Sequence, residues 1–118
     1  MLFGGFMLKK INRLTKRKEF GYIYKNGTKL NYGQLSVYFI KSRFPFVRFG
    51  ISVNNKVGNA VVRNKIKRRL RSILHSYINI IKHKNVIVVA HAEAVNLSYQ
   101  DLKKLVDKMF IKGKIISE

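Results

Sequence analysis

The chain has 118 residues, no cysteine, and 25 Lys/Arg against five Asp/Glu, for a formal net charge of +20. This length allows one domain with one modest core. Without cysteine there is no disulfide framework and no thiolate chemistry, which fits a reducing, cytoplasmic setting. Self-repulsion at this charge costs stability and favours a polyanionic partner. Nucleic acid is the default partner, because each phosphate contact releases counterions. An apolar content of 47% is that of a globular chain rather than a disordered basic tail.

The start, MLFGGFM, is apolar but short. It has no charged region before it and no small-residue cleavage site after it, so it reads as a poor signal peptide. Residues 1–7 are expected to be disordered or a non-native start, without function. Lys9 to Leu14 reads as extended and basic. A first helix is predicted over Lys16–Lys25, with Phe20, Ile23 and Tyr24 at i, i+3, i+4 and a stop at Asn26-Gly27. A first strand is predicted over Lys29–Lys41, with an extra short strand near Leu30. Leu35, Val37 and Phe39 share one face of it, Ser36 and Tyr38 the other. The only proline, Pro45, marks a turn at residues 42–46. A second strand, Val47–Val53, points Val47, Phe49, Ile51 and Val53 one way and Arg48, Gly50 and Ser52 the other.

Lys56–Arg71, KVGNAVVRNKIKRRLR, holds seven Lys/Arg and no acid. It reads as the N-terminal part of a helix ending near Ile80 or Ile81. Val62, Ile66, Leu70, Ile73 and Tyr77 form its apolar stripe. Arg63, Asn64, Lys65, Lys67, Arg68 and Arg71 spread round the rest. The helix N-terminus itself favours phosphate, so cations in its first turns are locally unfavourable until an anion arrives. Asn85–Ala90, NVIVVA, is a short apolar run expected as a buried central strand. Ser98 is a good N-cap for a last helix with the stripe Leu102, Leu105, Val106, Met109 and Phe110. Residues 112–118 are expected as a loose tail. No run is long enough to span a bilayer.

The chemistry of a protein-borne active site is missing. Glu19, Glu93, Asp101 and Asp107 are not paired at a spacing suited to general acid/base work. His75, His83 and His91 are too scattered for a metal site. There is no Gly-rich phosphate loop ending in Lys-Ser/Thr. No catalytic or metal-ligating residue is assigned, and no cofactor is expected on the protein alone. The residues describe a binder.

Arg48–Arg71, RFGISVNNKVGNAVVRNKIKRRLR, resembles the signature region of the bacterial ribonuclease P protein subunit. That family has a strand ending in G-x-S-V, a K-x-G-x-A-V loop and an R-N-R basic helix. Here these are Gly50 to Val53, Lys56 to Val61, and Arg63-Asn64-Lys65, with lysine at the third R-N-R position. The resemblance extends from about Leu8 to Phe110. It implies an α+β fold, a single-domain α/β sandwich of order α-β-β-(β)-α-β-α like the second domain of a small-subunit ribosomal protein. It also implies a left-handed β-α-β crossover, where the general rule favours the right hand.

The resemblance further implies a protein joined one-to-one to a catalytic RNA that removes the 5′ leader of precursor tRNA. The RNA would supply the active site and its magnesium. Lys56, Arg63, Asn64, Lys65, Lys67, Arg68 and Arg71 would bind RNA. Phe20, Tyr24, Ser36 and Tyr38 would line a cleft for the leader, gripped by stacking and cations. From the residues alone, packing of Phe20 and Tyr24 against the sheet is the plainer reading, and Arg69 fits a snorkelling surface side chain equally well. Two other functions fit the charge. One is a ribosomal-type structural RNA-binding protein. The other is a membrane-surface protein using the basic helix, although its stripe lacks Trp/Phe anchors.

Overall fold

A strand that is apolar on both faces needs cover on both, and this requirement organises the molecule. In the computed structural model, which describes residues 9–117, that strand is β4 (Lys84–Ala90). It lies inside a four-stranded sheet with β1 (Thr28–Asn31), β2 (Leu35–Lys41) and β3 (Arg48–Val53), in the order β1-β2-β4-β3. β2 runs antiparallel to β4, pairing Val37 with Val88. β3 runs parallel to it, pairing Phe49 with Val86. Helix α1 (Arg17–Asn26) covers one face through Phe20 and Ile23, against Ile87, Val89, Tyr38 and Ile40. Helices α2 (Ala60–His75) and α3 (Tyr99–Lys112) cover the other, where Val37, Phe49, Val86 and Val88 meet Ile66, Leu70, Leu102, Val106 and Phe110. The alternation expected for the strands therefore sorts their side chains between two clusters.

The outer edge of β3 is strapped by the chain before α1. The Asn12 side-chain amide donates to the Val47 carbonyl at 2.7 Å. The Leu14 N–H donates to the Phe49 carbonyl at 2.8 Å. Residues expected as simply extended thus form a 3₁₀ turn (Lys10–Asn12) and then pair at Arg13. The apolar start, residues 1–7, lies outside the described residues.

Three expected boundaries move. The strand Lys29–Lys41 is a hairpin, broken where Gly33 takes φ 86° and its N–H donates to the Asn31 side chain. The short strand near Leu30 is its first arm. The basic helix starts at Ala60, where Asn59 caps the Val62 N–H, and ends at His75 instead of Ile80 or Ile81. The Ser76 hydroxyl takes the Ile73 carbonyl at 2.6 Å, competing with the helix ladder. Successive turns keep the phase, so Tyr77 and Ile81 still reach the core. The described part of the tail folds back onto α3. The Ile115 N–H returns to the Phe110 carbonyl at 2.8 Å, and Ile115 is buried. Ser98 caps α3 as expected, accepting from the Asp101 N–H.

Gly27 stops α1 for a reason other than backbone freedom. Its φ is −80°, but a β-carbon there would sit 2.7 Å from the Ile23 carbonyl oxygen and 2.9 Å from that of Phe39. Close approach of helix end and strand requires glycine.

Candidate nucleic-acid interface

The face of the sheet under α1 carries an aromatic row. Strand parity brings Ser36 and Tyr38 from β2, and Gly50 and Ser52 from β3, to this side. Phe20 and Tyr24 descend from α1, one turn apart. The Phe20 and Tyr24 rings are 6.2 Å apart, and Tyr24 meets Tyr38 edge-on at 4.8 Å. Lys29 places its ammonium 5.5 Å from the Tyr38 ring centre. Gly50 makes room for Phe20, since a β-carbon at this strand position would fall 2.5 Å from the ring's Cζ. Tyr24 remains 39% exposed. Burial of its hydroxyl raises the phenol's pKa above the ordinary tyrosine value, a bond with Ser52 opposes this, and Tyr38 adds to it.

Ser36 is placed differently from the three rings. It is only 1% exposed, and its hydroxyl lies 2.7 Å from His91 Nε2. His91 then faces a groove of about 420 Å³ with Asn31, Gly33, Asn54, Lys56 and Glu93. Lys56 therefore belongs to this end of the sheet as well as to the approach to α2.

On α2, Asn64, Lys65 and Arg68 share one exposed flank, beside Val61, which is 76% exposed. Arg63 is half-buried and donates to the Gly58 carbonyl at 2.7 Å, so it also fastens the loop before the helix. Arg69 donates to the Leu97 carbonyl at 3.3 Å, which ties α2 to the approach to α3. Lys67 is half-buried. Arg71, two turns on from Asn64 and three residues after Arg68, continues their side of the helix. With Arg13, Thr15, Phe20, Phe49 and Ile51 it lines a groove of about 170 Å³. The structure thus joins the two predicted residue sets at Phe20 and Arg71, while Asn64, Lys65 and Arg68 stay on the exposed flank of the same helix, α2.

Sequence reasoning missed Arg13, Thr15, Lys29, Ser52 and His91. His91 continues the alternation of Ile87 and Val89, which is a usable signal, but its meeting with Ser36 depends on the β2–β4 register. Among the described residues no group of three His, Asp or Glu side chains converges as a metal site, and Glu19 is committed to Arg48 at 2.8 Å. The side chains present do not fit a protein-held magnesium ion.

An aromatic row over a sheet, flanked by a cationic helix on a chain of this charge, defines an RNA-binding protein. Residues 8–114 match the model of the family described as Ribonuclease P. The chain belongs to that family, whose members are protein components of a tRNA-processing ribonuclease. It is 36% identical over 109 residues to the ribonuclease P protein component of Bacillus velezensis, covering 92% of this chain and 94% of the relative. Against that of Acholeplasma laidlawii the identity is 32% over 112 residues, covering 94% and 97%. The Staphylococcus aureus RNase P protein structure superposes with a TM-score of 0.84 at 32% identity, covering 90% of this chain and 98% of that one. The Thermotoga maritima RNase P protein gives 0.77 at 27% identity, covering 85% and 96%. The α+β architecture and the partnership with a ribonuclease P RNA follow from this membership.

Proposed function

We propose that this single RNA-binding domain docks on the catalytic RNA through α2 and holds the single-stranded 5′ leader of precursor tRNA on the α1 face of the sheet. Phe20, Tyr24 and Tyr38 offer ring surfaces to leader bases. Lys29, Arg71 and Arg13 offer cations to its phosphates, and Lys65, Arg68 and Asn64 face the RNA subunit. Ser36 acts through His91, which it orients. Magnesium, when bound by the RNA, supplies the cleavage chemistry, and the protein's share is to bind and place the substrate. Holding the leader broadens substrate use and lowers the magnesium requirement, because protein cations replace part of the ionic screening. The complex is one protein to one RNA and works in the cytoplasm.

The observation that carries this reading is the Phe20–Tyr24–Tyr38 row, which sits on the sheet face next to Arg71. A ribosomal-type structural role would not need stacking surfaces there. The test is cleavage of a precursor tRNA by the partner RNA at limiting magnesium, with and without the protein. Acceleration is expected. Robust cleavage by the protein without RNA, after removal of contaminating nucleases, would overturn it.

A further inference from the structure

The side of α1 away from Phe20 and Tyr24 carries chemistry that this reading leaves unused. Lys18 and Tyr22 are spaced at i, i+4 and share a flank. With Glu19 and Ile23 from α1, Arg48 from β3 and Asn85 from β4, they line a groove of about 280 Å³. Tyr22 is 62% exposed, a large ring left in water. Arg48 is fixed on three sides. Its Nη1 lies 2.8 Å from Glu19 Oε2, its Nε donates to Asn85 Oδ1 at 3.2 Å, and its guanidinium lies 5.3 Å from the Phe44 ring centre. Asn85 Oδ1 is thereby used, which leaves the amide NH₂ free to donate elsewhere. Phe44 in turn stacks on Phe46 at 5.3 Å.

Arg48 and Glu19 account for the fastening of α1 to the sheet. Lys18, the spare Asn85 amide and the bare Tyr22 ring do not take part in it. Lys18 and Arg48 outnumber the one carboxylate, Glu19, so the groove stays cationic. A ring, an amide donor and a surplus cation around a slot of this size match a nucleotide. Every base has a face to stack, its edge carries acceptors, and its phosphate is anionic.

We propose that this groove is a second seat for a nucleotide of single-stranded RNA, distinct from the Tyr24–Tyr38 row. Tyr22 is its stacking surface, Asn85 its edge donor, and Lys18 its phosphate contact. The proposal rests on the reading that the protein handles single-stranded RNA, and it gives α1 two working flanks.

The test is the affinity of the full chain for short labelled single-stranded RNAs in Tyr22→Ala, Tyr22→Phe, Lys18→Gln, Tyr38→Ala and the Tyr22→Ala/Tyr38→Ala pair. Tyr22→Ala is expected to weaken binding about 5- to 150-fold, the range for loss of one base–aromatic stack. Tyr22→Phe should bind as the parent does, and Lys18→Gln should flatten the salt dependence. Losses at two independent seats should multiply in the pair. Parent-like affinity in both Tyr22→Ala and Lys18→Gln would overturn the second seat while leaving a Tyr38 effect intact. Disappearance of the Tyr22 effect in the Tyr38→Ala background would overturn its separateness. No effect from Tyr22 or Tyr38 would remove the single-strand reading itself.

Discussion

Arg48 on β3 meets Glu19 on α1 at 2.8 Å, and this pair anchors the helix that carries the aromatic row. The pair is mostly out of water, and Arg48 is held further by Asn85 and Phe44. Glu19→Gln should therefore lower stability by about 1 kcal/mol, the upper end for a surface ion pair. Arg48→Ala should cost more, because it also uncovers Phe44 and leaves Glu19 without its partner. Urea midpoints of the two variants check this, and equal midpoints to the parent would mean that apolar contacts alone hold α1.

Arg68 and Arg63 should separate in their behaviour. Arg68 is exposed, so Arg68→Ala should weaken RNA-subunit binding with unchanged stability. Loss of one phosphate contact should reduce the log–log salt slope by roughly 0.7–0.9. Arg63→Ala should flatten the slope too, and also lower stability, because the Gly58 carbonyl loses its donor. Binding titrations across a salt series, with thermal melts alongside, give both readouts.

Tyr38→Ala should shrink the affinity gained from a 5′ leader by about 1–3 kcal/mol, the worth of one base–aromatic stack. Mature tRNA should bind the reconstituted complex almost as before. Equal losses for leader-bearing and leaderless ligands would make Tyr38 a packing residue only.

Gly50→Ala should reorient Phe20, since the new β-carbon would sit 2.5 Å from its ring. The expected cost is about 1–3 kcal/mol of overpacking. A Phe20→Leu change in the same chain should recover part of that stability but not the leader-dependent affinity. Denaturant midpoints and leader binding, measured on the same proteins, separate the two effects.

Tyr24 should titrate above the ordinary tyrosine range, because burial penalises its phenolate. A pKa raised by folding means that the native state holds the proton more tightly than the unfolded chain. Its contribution to stability is therefore complete below the ordinary tyrosine pKa and is lost as pH rises through and beyond it. Alkaline ultraviolet titration should show this late tyrosine in the parent and lose it in Tyr24→Phe.

Much of the fold was legible because its signals are local. The unbroken apolar run of β4, the alternation in Val47–Val53 and the Ser98 cap need no knowledge of the rest of the chain. The end of α2 was not legible, because Tyr77 and Ile81 keep helical phase through turns, and only the Ser76 hydroxyl marks the stop. The docking of Ile115 depends on a backbone reversal at Lys114, φ 57°, in a residue that gives no sign of it. For the interface, face-sharing of Ser36 and Tyr38 was readable from parity. The burial of Ser36 by His91 and the shared groove of Phe20 and Arg71 were not, since each requires partners far apart in sequence to meet through strand order.

That strand order also sets a schedule for the molecule's birth. The middle strand, β4, is nearly the last element to leave the ribosome. Until it emerges, β3 and the hairpin β1–β2 have no common neighbour, and the floor of the aromatic row does not exist. At ordinary synthesis rates the wait from Val53 to Ala90 lasts roughly 2–7 s. Through the second half of that interval the nascent chain exposes the cations of Lys56–Arg71 beside ribosomal RNA, with no finished surface to direct them. A prematurely terminated chain ending before Lys84 should therefore be a promiscuous polycation, and selectivity should arrive all at once with one strand.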